Sequence, residues 1–280
     1  MNNSRIGFMQ GRLSPLINGK IQEFPWDNWR QEFAIASTLG FCLMEWTLDQ
    51  GRLYESPLMT EKGRQEIVKL SHSHSIKIPS LTGDCFMQSP FWKVSGVEKE
   101  SRQKDLTSIL IGCEKVGIKQ VVIPLVDNGR IDSSDQESAL LDFLLDIEAD
   151  IRSMGIQIVF ESDLCPDGLK LFIGQFNPQV FGINYDIGNS AALGFDAEKE
   201  FEAYGDRVLN VHIKDRNLGG TTVPLGDGNA DFTKVFQQLA KREYQGNYIL
   251  QTARANNGDH SGVLSKYKIM TESWVSDHGS

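Results

Sequence analysis

The sequence predicts an α/β fold, a single-domain (β/α)8 TIM barrel spanning residues 1–280. Eight short apolar runs of β character alternate with longer stretches of helical periodicity. No Pro/Gly/Ser-rich linker divides them, and 280 residues suffice for one barrel with a large core. An open doubly wound sheet shares the alternation, but no G-x-G-x-x-G follows the first run.

The predicted strands lie near residues 5–9, 41–47, 76–82, 120–125, 156–161, 180–186, 208–213 and 248–252. RIGFM, FCLMEWT, IKIPSLT, QVVIPL, IQIVFE, VFGINYD, VLNVHI and YILQT are rich in Ile, Val, Phe and Tyr, as strands buried on both faces are. Between them apolar residues recur at three- and four-residue spacing. The longest such stretch carries Leu140, Leu141, Leu144, Leu145, Ile147 and Ile151 and is closed by Gly155. Gly40 and Gly117 follow helical stretches and precede strands, as left-handed helix caps do. Ser133 and Asp196 read as N-caps of the fourth and sixth helices.

Composition narrows the partners. Lys and Arg total 28 against 37 Asp and Glu, a formal charge of −9, so the chain lacks the basic face that phosphate-backbone binding requires. Nucleic acid is therefore not expected. The longest apolar run, Val121 to Val126, is interrupted in character by Pro124 and far short of the roughly 20 residues that span a bilayer. No basic segment followed by an apolar one opens the chain, so a cytoplasmic protein without a membrane partner is expected. Cys42, Cys85, Cys113 and Cys165 lie far apart with no C-x-x-C pair and read as reduced, mostly buried thiols. His72 and His74, two apart on a helix, point away from each other and read as solvated.

In such a barrel, chemistry sits at the C-terminal ends of the strands. The fifth to eighth strands end in Glu161, Asp186, His212 and Gln251, four ligand-type side chains in succession. His212 is flanked by Val211 and Ile213, which face the opposite side, so its ring enters the barrel. Three oxygen donors and one imidazole suit Mn²⁺, Co²⁺, Mg²⁺ or Zn²⁺ with positions left for a substrate. Asp215, three residues on, is placed either to orient that imidazole or to cap a loop.

These residues carry a resemblance. FESD (160–163), YDIGN (185–189), HIKD (212–215), LGDGNADF (225–232) and YILQT (248–252) resemble the metal-site signatures of the xylose-isomerase-like TIM barrel superfamily. The segment from Gly40 to Leu53, IPSL (78–81) and YQGNYIL (244–250) are similar to the L-ribulose-5-phosphate/L-xylulose-5-phosphate 3-epimerases. The similarity runs from about residue 6 to 254. It implies a divalent-metal-dependent sugar or sugar-phosphate isomerase or epimerase acting through a metal-chelated enediolate. It makes Glu161, Asp186 and His212 metal ligands and Glu161 an acid/base as well. It also implies a homo-oligomer, although no segment marks an interface.

Where the resemblance expects a second catalytic glutamate, this chain has Gln251. An amide can coordinate through oxygen but exchanges no proton at neutral pH. This favours single-base chemistry: a 1,2 isomerisation moves one proton along one face. A sugar dehydratase is an alternative, as is a barrel that binds sugar or metal without turnover. An abasic-site endonuclease would need more histidine ligands and a positive face. Asn189, Glu45, Arg12 and Arg254 fall at strand or loop ends around the mouth and are candidates to contact substrate; Glu45 and Asp84 are also candidates for the missing proton donor. Gly226 and Gly228 bracket a tight loop whose amides could cradle an anion, with a plain turn the favoured reading. Trp46, Phe86 and Trp92 are candidate pocket walls.

Overall fold

The computed structural model describes residues 5–17 and 19–278. The barrel is closed by eight parallel strands: β1 (Ile6–Met9), β2 (Leu43–Thr47), β3 (Ser80–Thr82), β4 (Gln120–Leu125), β5 (Gln157–Ser162), β6 (Phe181–Asp186), β7 (Val208–Ile213) and, last in the chain, β10 (Asn247–Leu250). Each pairs with its sequence neighbour around the ring, and β10 closes it between β7 and β1. Between β7 and β10 lies a short antiparallel hairpin, β8 (Asp215–Arg216) with β9 (Thr222–Val223), that the sequence pattern did not signal.

The predicted strand spans hold at β4 and β7, shift by one residue at β5 and contract elsewhere. The third begins at Ser80 rather than Ile76, because Pro79 has no N–H to give the ladder; Lys77 makes only an isolated bridge to Leu43. The second begins at Leu43, and the last ends at Leu250, leaving Gln251 and Thr252 beyond it. Gln251 is still tied to β7, its N–H donating to the Ile213 carbonyl at 3.1 Å. The predicted long helix breaks at Ile147 into Ser134–Asp146 and Glu148–Ser153, so the longest helix is Gly96–Val116. Ser133 and Asp196 are N-caps, and Gly40, Gly117 and Gly155 take positive φ at helix ends, as expected.

Alternation along the strands divides two environments. Outward side chains such as Ile158, Phe160, Phe181 and Ile183 are buried beneath the helices. Inward ones are polar toward the mouth: Glu45 on β2, Ser80 and Thr82 on β3, Glu161 on β5, Asn184 and Asp186 on β6, Asn210 and His212 on β7, all buried. The β6–β7 register shifts between Ile183 and Asn184, which brings Asp186 level with His212. The segment after β1 crosses toward the mouth and is pinned by an aromatic cluster in which Phe24 and Trp29 lie 5.5 and 5.7 Å from Trp46. Trp46, Phe86 and Trp92 are thus buried packing residues rather than open pocket walls. Cys85 and Cys113 are buried, but Cys165, expected inside, is exposed at the start of the helix Pro166–Gly174. No helix among the described residues is long and apolar enough to cross a membrane.

Phe160 joins β5 to its covering helix, with Phe172, Phe176 and Phe181 at 5.1, 5.2 and 6.2 Å. Phe160→Ala is expected to cost about 3–5 kcal/mol in urea unfolding, because a clamped aromatic cluster cannot collapse around the void.

Candidate metal centre at the barrel mouth

Glu161, Asp186 and His212 each offer one ligand atom, and these atoms lie within 4.8 Å of one another. Nδ1 of His212 is 3.2 Å from Glu161 Oε2 and 3.9 Å from Asp186 Oδ2. Three anionic or lone-pair donors converging this closely suit a divalent cation. The ammonium of Lys214 donates to Asp186 Oδ2 at 2.8 Å and to Gln251 Oε1 at 3.3 Å, so a positive group is already accepted between those two. The amide oxygen of Gln251 thus shares this ammonium with Asp186. Gln251 Nε2 donates to Gln22 Oε1 at 3.0 Å.

The imidazole is fixed from below. Its Nε2 lies 2.7 Å from Glu45 Oε1, and Glu45 is wholly buried. The remaining capacity of that carboxylate is taken by Ser80 Oγ at 2.6 Å, the Thr82 hydroxyl and Asn210 Nδ2 at 3.0 Å. Glu45 thus holds Nε2 as a donor and turns Nδ1 to the centre. It neither reaches substrate nor serves as an exposed proton donor, which corrects the expectation drawn from its place at a strand end. Asp215 is corrected in the opposite sense. Its carboxylate accepts from the backbone N–H groups of Gly226, Gly228 and Ala230 at 2.9, 3.0 and 3.1 Å, so it gathers the following loop and does not touch His212. The anion cradled by those glycine amides is the chain's own. Gly228 has no room for a side chain, since a Cβ there would meet Asp215 Oδ1 at 2.2 Å.

Asn189 is within the centre. Its Nδ2 donates to Glu161 Oε1 at 2.6 Å, its backbone N–H caps on Asp186 Oδ1 at 2.8 Å, and its Oδ1 accepts from Arg216 Nη1 at 2.7 Å. Arg216 thereby sets which end of the amide faces Glu161. Asn184 Nδ2 reaches Glu161 Oε2 at 3.1 Å and His212 Nδ1 at 3.0 Å. Arg12 is buried beside Gln22, donating to the Ile21 carbonyl at 3.0 Å and Gln22 Oε1 at 3.2 Å, while Arg254 donates to the Ser14 carbonyl. Both arginines flank the mouth rather than contacting the four-residue centre. Asp84 is bound by the Gln22 amide at 2.5 Å.

Charge follows from these contacts. Burial lowers the tendency of His212 to hold a proton, but Glu45 and Glu161 outweigh it and the imidazole is pushed up to about 10. Burial raises Glu161, yet the His212 hydrogen bond and charge and the Lys214 charge leave it below the ordinary carboxylate range, hence ionised at neutral pH. Burial and the neighbouring Asp49 push Asp84 up to about 7.

Sequence reasoning missed Lys214, Arg216, Asn184, Asn210 and Gln22. The alternation that turns His212 inward turns Asn210 and Lys214 inward as well, and Asn184 follows from Asp186 in the same way. Nothing local marks Gln22, which reaches the mouth only because the segment after β1 folds across it.

Comparison with known proteins agrees with this architecture. The xylose isomerase-like TIM barrel family matches residues 33–267. The L-ribulose-5-phosphate 3-epimerase UlaE of Salmonella typhi is 23 % identical over 233 residues, covering 80 % of this chain and 81 % of that protein. A xylose isomerase domain protein from Planctomyces limnophilus superposes with a TM-score of 0.76 at 15 % identity over 98 % of both chains. A D-allulose 3-epimerase from Methylomonas sp. gives 0.75 at 15 % identity over 96 % of this chain and 97 % of that one. The IOLI protein, solved with a zinc atom, gives 0.75 at 16 % identity over 99 % of both. A family match over most of the length, joined to a closed parallel barrel with its polar cluster at the strand ends, places this chain in the xylose isomerase-like TIM barrel family.

Proposed function

We propose that residues 1–280 form one barrel domain that acts as a divalent-metal-dependent sugar or sugar-phosphate isomerase or epimerase, with a small-molecule ketose as partner. The observation that carries the reading is the convergence of Glu161, Asp186 and His212 within 4.8 Å. Those three residues hold the ion, Mn²⁺, Co²⁺, Mg²⁺ or Zn²⁺, and the amide oxygen of Gln251 completes the protein's share. A bound divalent cation supplies Lewis acidity that makes the C–H beside a carbonyl easier to ionise. The sugar epimerases among the relatives are consistent with this class of substrate.

Glu161 is the base. It is ionised, and Asn189 and Asn184 hold its two oxygens in place. It takes a proton from the hydroxyl-bearing carbon next to the carbonyl and returns it to the former carbonyl carbon on the same face, while the proton of that hydroxyl passes to the former carbonyl oxygen. Gln251 has no proton to deliver to the opposite face, so single-base isomerisation is favoured over two-carboxylate epimerisation. Asn189, beside Glu161 and lining the mouth, contacts a sugar hydroxyl. Lys214 favours a second reading: its ammonium occupies two of the donors a cation would use, as in a barrel that binds sugar without turnover.

Glu161→Gln is expected to lower ketose turnover by about 10²–10⁴-fold, because general-base catalysis contributes about that factor, and to lower the melting temperature of the metal-free protein, because it removes one of the carboxylates paired with His212. Manganese affinity measured by calorimetry is expected to rise with pH between 6.5 and 9, by up to about tenfold per unit, since His212 must lose a proton that the metal-free site holds up to about 10. The sign is opposite for the metal-free fold: the charged His212 pairings stabilise it fully below about 6.5 and are lost as pH rises through about 10. Lys214→Met is expected to tighten manganese binding and Gln251→Glu to tighten it further. Absence of uptake in all three proteins, wild type included, would overturn the metal-dependent proposal; uptake without turnover of any ketose would leave only the binding reading.

A further inference from the structure

One buried carboxylate lies outside the barrel wall and takes no part in the metal centre. Glu200, in the helix Ala197–Tyr204, is 2 % exposed and is held by three hydroxyls. Its Oε2 accepts from Tyr185 at 2.9 Å and from Ser190, and its Oε1 accepts from Tyr204 at 2.7 Å. Tyr185 Oη and Ser190 Oγ are themselves 3.3 Å apart. Burial pushes Glu200 above the ordinary carboxylate range, and the hydroxyls of Ser190, Tyr204 and Tyr185 offset this only in part. An apolar side chain would fill the layer between strand and helix at lower cost. A carboxyl held by hydroxyls alone points instead to a demand for fixed geometry.

Two of those hydroxyls sit one residue from the metal centre. Tyr185 precedes Asp186, and Ser190 follows Asn189. Along β6, Asn184 and Asp186 turn into the barrel, so Tyr185 turns out onto Glu200 and onto the Phe201 ring, 4.9 Å away. The helix Ile187–Leu193 starts directly after β6, and Asp186 is its N-cap. On that helix Asn189 donates to Glu161, while Ser190, about 100° further round, donates to Glu200. Opposite faces of one short helix are thus bound to two carboxylates, Glu161 within the barrel and Glu200 outside it.

Packing on the two faces is unequal. On the inner side Gly188 lies against Lys214 so closely that a Cβ would meet Lys214 Cγ at 2.6 Å. On the outer side a cavity of about 120 Å³ adjoins Ser190, Tyr185, Ala191 and Phe195, so apolar contact alone leaves the helix room to shift. The Ser190–Glu200 bond tethers it beside that gap. A shift of about 1 Å would carry Asn189 off Glu161, and misplacement on that scale costs up to about 100-fold in rate. We infer that Glu200 is a positioning residue of the active site: through Ser190 and Tyr185 it holds the helix Ile187–Leu193 so that Asn189 fixes the Glu161 carboxylate and Asp186 keeps its place at the centre. This role deepens the proposed function and rests on it for the action of Glu161.

The test uses the full chain. Ser190→Ala removes one hydroxyl from a small side chain and leaves Glu200 its two tyrosines, so the fold survives it. With manganese bound, kcat for a ketose is expected to fall about 10–100-fold, with the smaller part of the change in KM, because Glu161 acts in the chemical step. Ser190→Thr restores the hydroxyl and its methyl has the adjoining cavity to enter, so kcat is expected within about threefold of wild type. Glu200→Gln keeps the shape but presents an amide N–H where a hydroxyl now donates, and is expected to fall between the two. Hydrogen exchange of the Asn189 side-chain amide, followed by NMR in the metal-free protein, is expected to be about tenfold faster in Ser190→Ala and to return in Ser190→Thr. That arm requires neither metal nor turnover. An Asn189 amide unchanged in both Ser190→Ala and Glu200→Gln overturns the positioning role, whatever their melting temperatures, and leaves the isomerase reading standing. Release of that amide with no ketose turned over by wild type upholds the positioning role and sinks the isomerase reading.

Discussion

The mouth depends on one buried pairing, Glu45 with His212. A carboxylate and an imidazole, both without solvent, come from strands that do not neighbour each other in the ring. Such a pair is costly to desolvate and survives only when every remaining lone pair finds a donor. Ser80, Thr82 and Asn210 supply those donors from β3 and β7. Removing any of them leaves a buried carboxylate lone pair without a donor and loosens the hold on the ring that faces the candidate metal centre. The interior is therefore less a packed apolar core than a hydrogen-bonded stack, Glu45 to His212 to Glu161, with the asparagines 184 and 210 as lateral struts.

That stack explains how one centre can hold opposed charges. Glu161 and Asp186 converge with nothing but His212, Lys214 and amides between them, and the imidazole carries the compensating proton when no ion does. A proton and a cation at the candidate site would thus compete for one nitrogen. Lys214 adds a second, mobile compensation at the end of a four-carbon stem, able to retreat where a ring held on both sides cannot.

Much of this was legible in the amino-acid sequence, and the boundary is physical. The barrel followed from alternation and count, because parallel strands buried on both faces leave a plain signature. The four strand-end residues followed from the rule that β-strand side chains alternate, which also turns His212 inward. The two carboxylates whose roles exchanged show where local reading stops. Asp215 lies three residues from His212 yet gathers a loop; Glu45 lies far away in sequence yet touches the ring, since the closed ring brings β2 across from β7. Gln22 was invisible for the same reason, its position being set by how a loop crosses the mouth. Arg12 and Arg254 were marked as mouth residues, but that each donates to a backbone carbonyl of the segment after β1 appears only in three dimensions.

The loop bound by Asp215 has a further meaning. Its shape comes from three main-chain amides converging on one carboxylate, and Gly228 is held to glycine by that contact, whereas Asp227 and Asn229 face solvent. A rim whose path is dictated by its backbone can change its outward lettering without losing its form. This is a place where descendants of the same scaffold could acquire taste for a different carbohydrate while the polar floor beneath stays untouched.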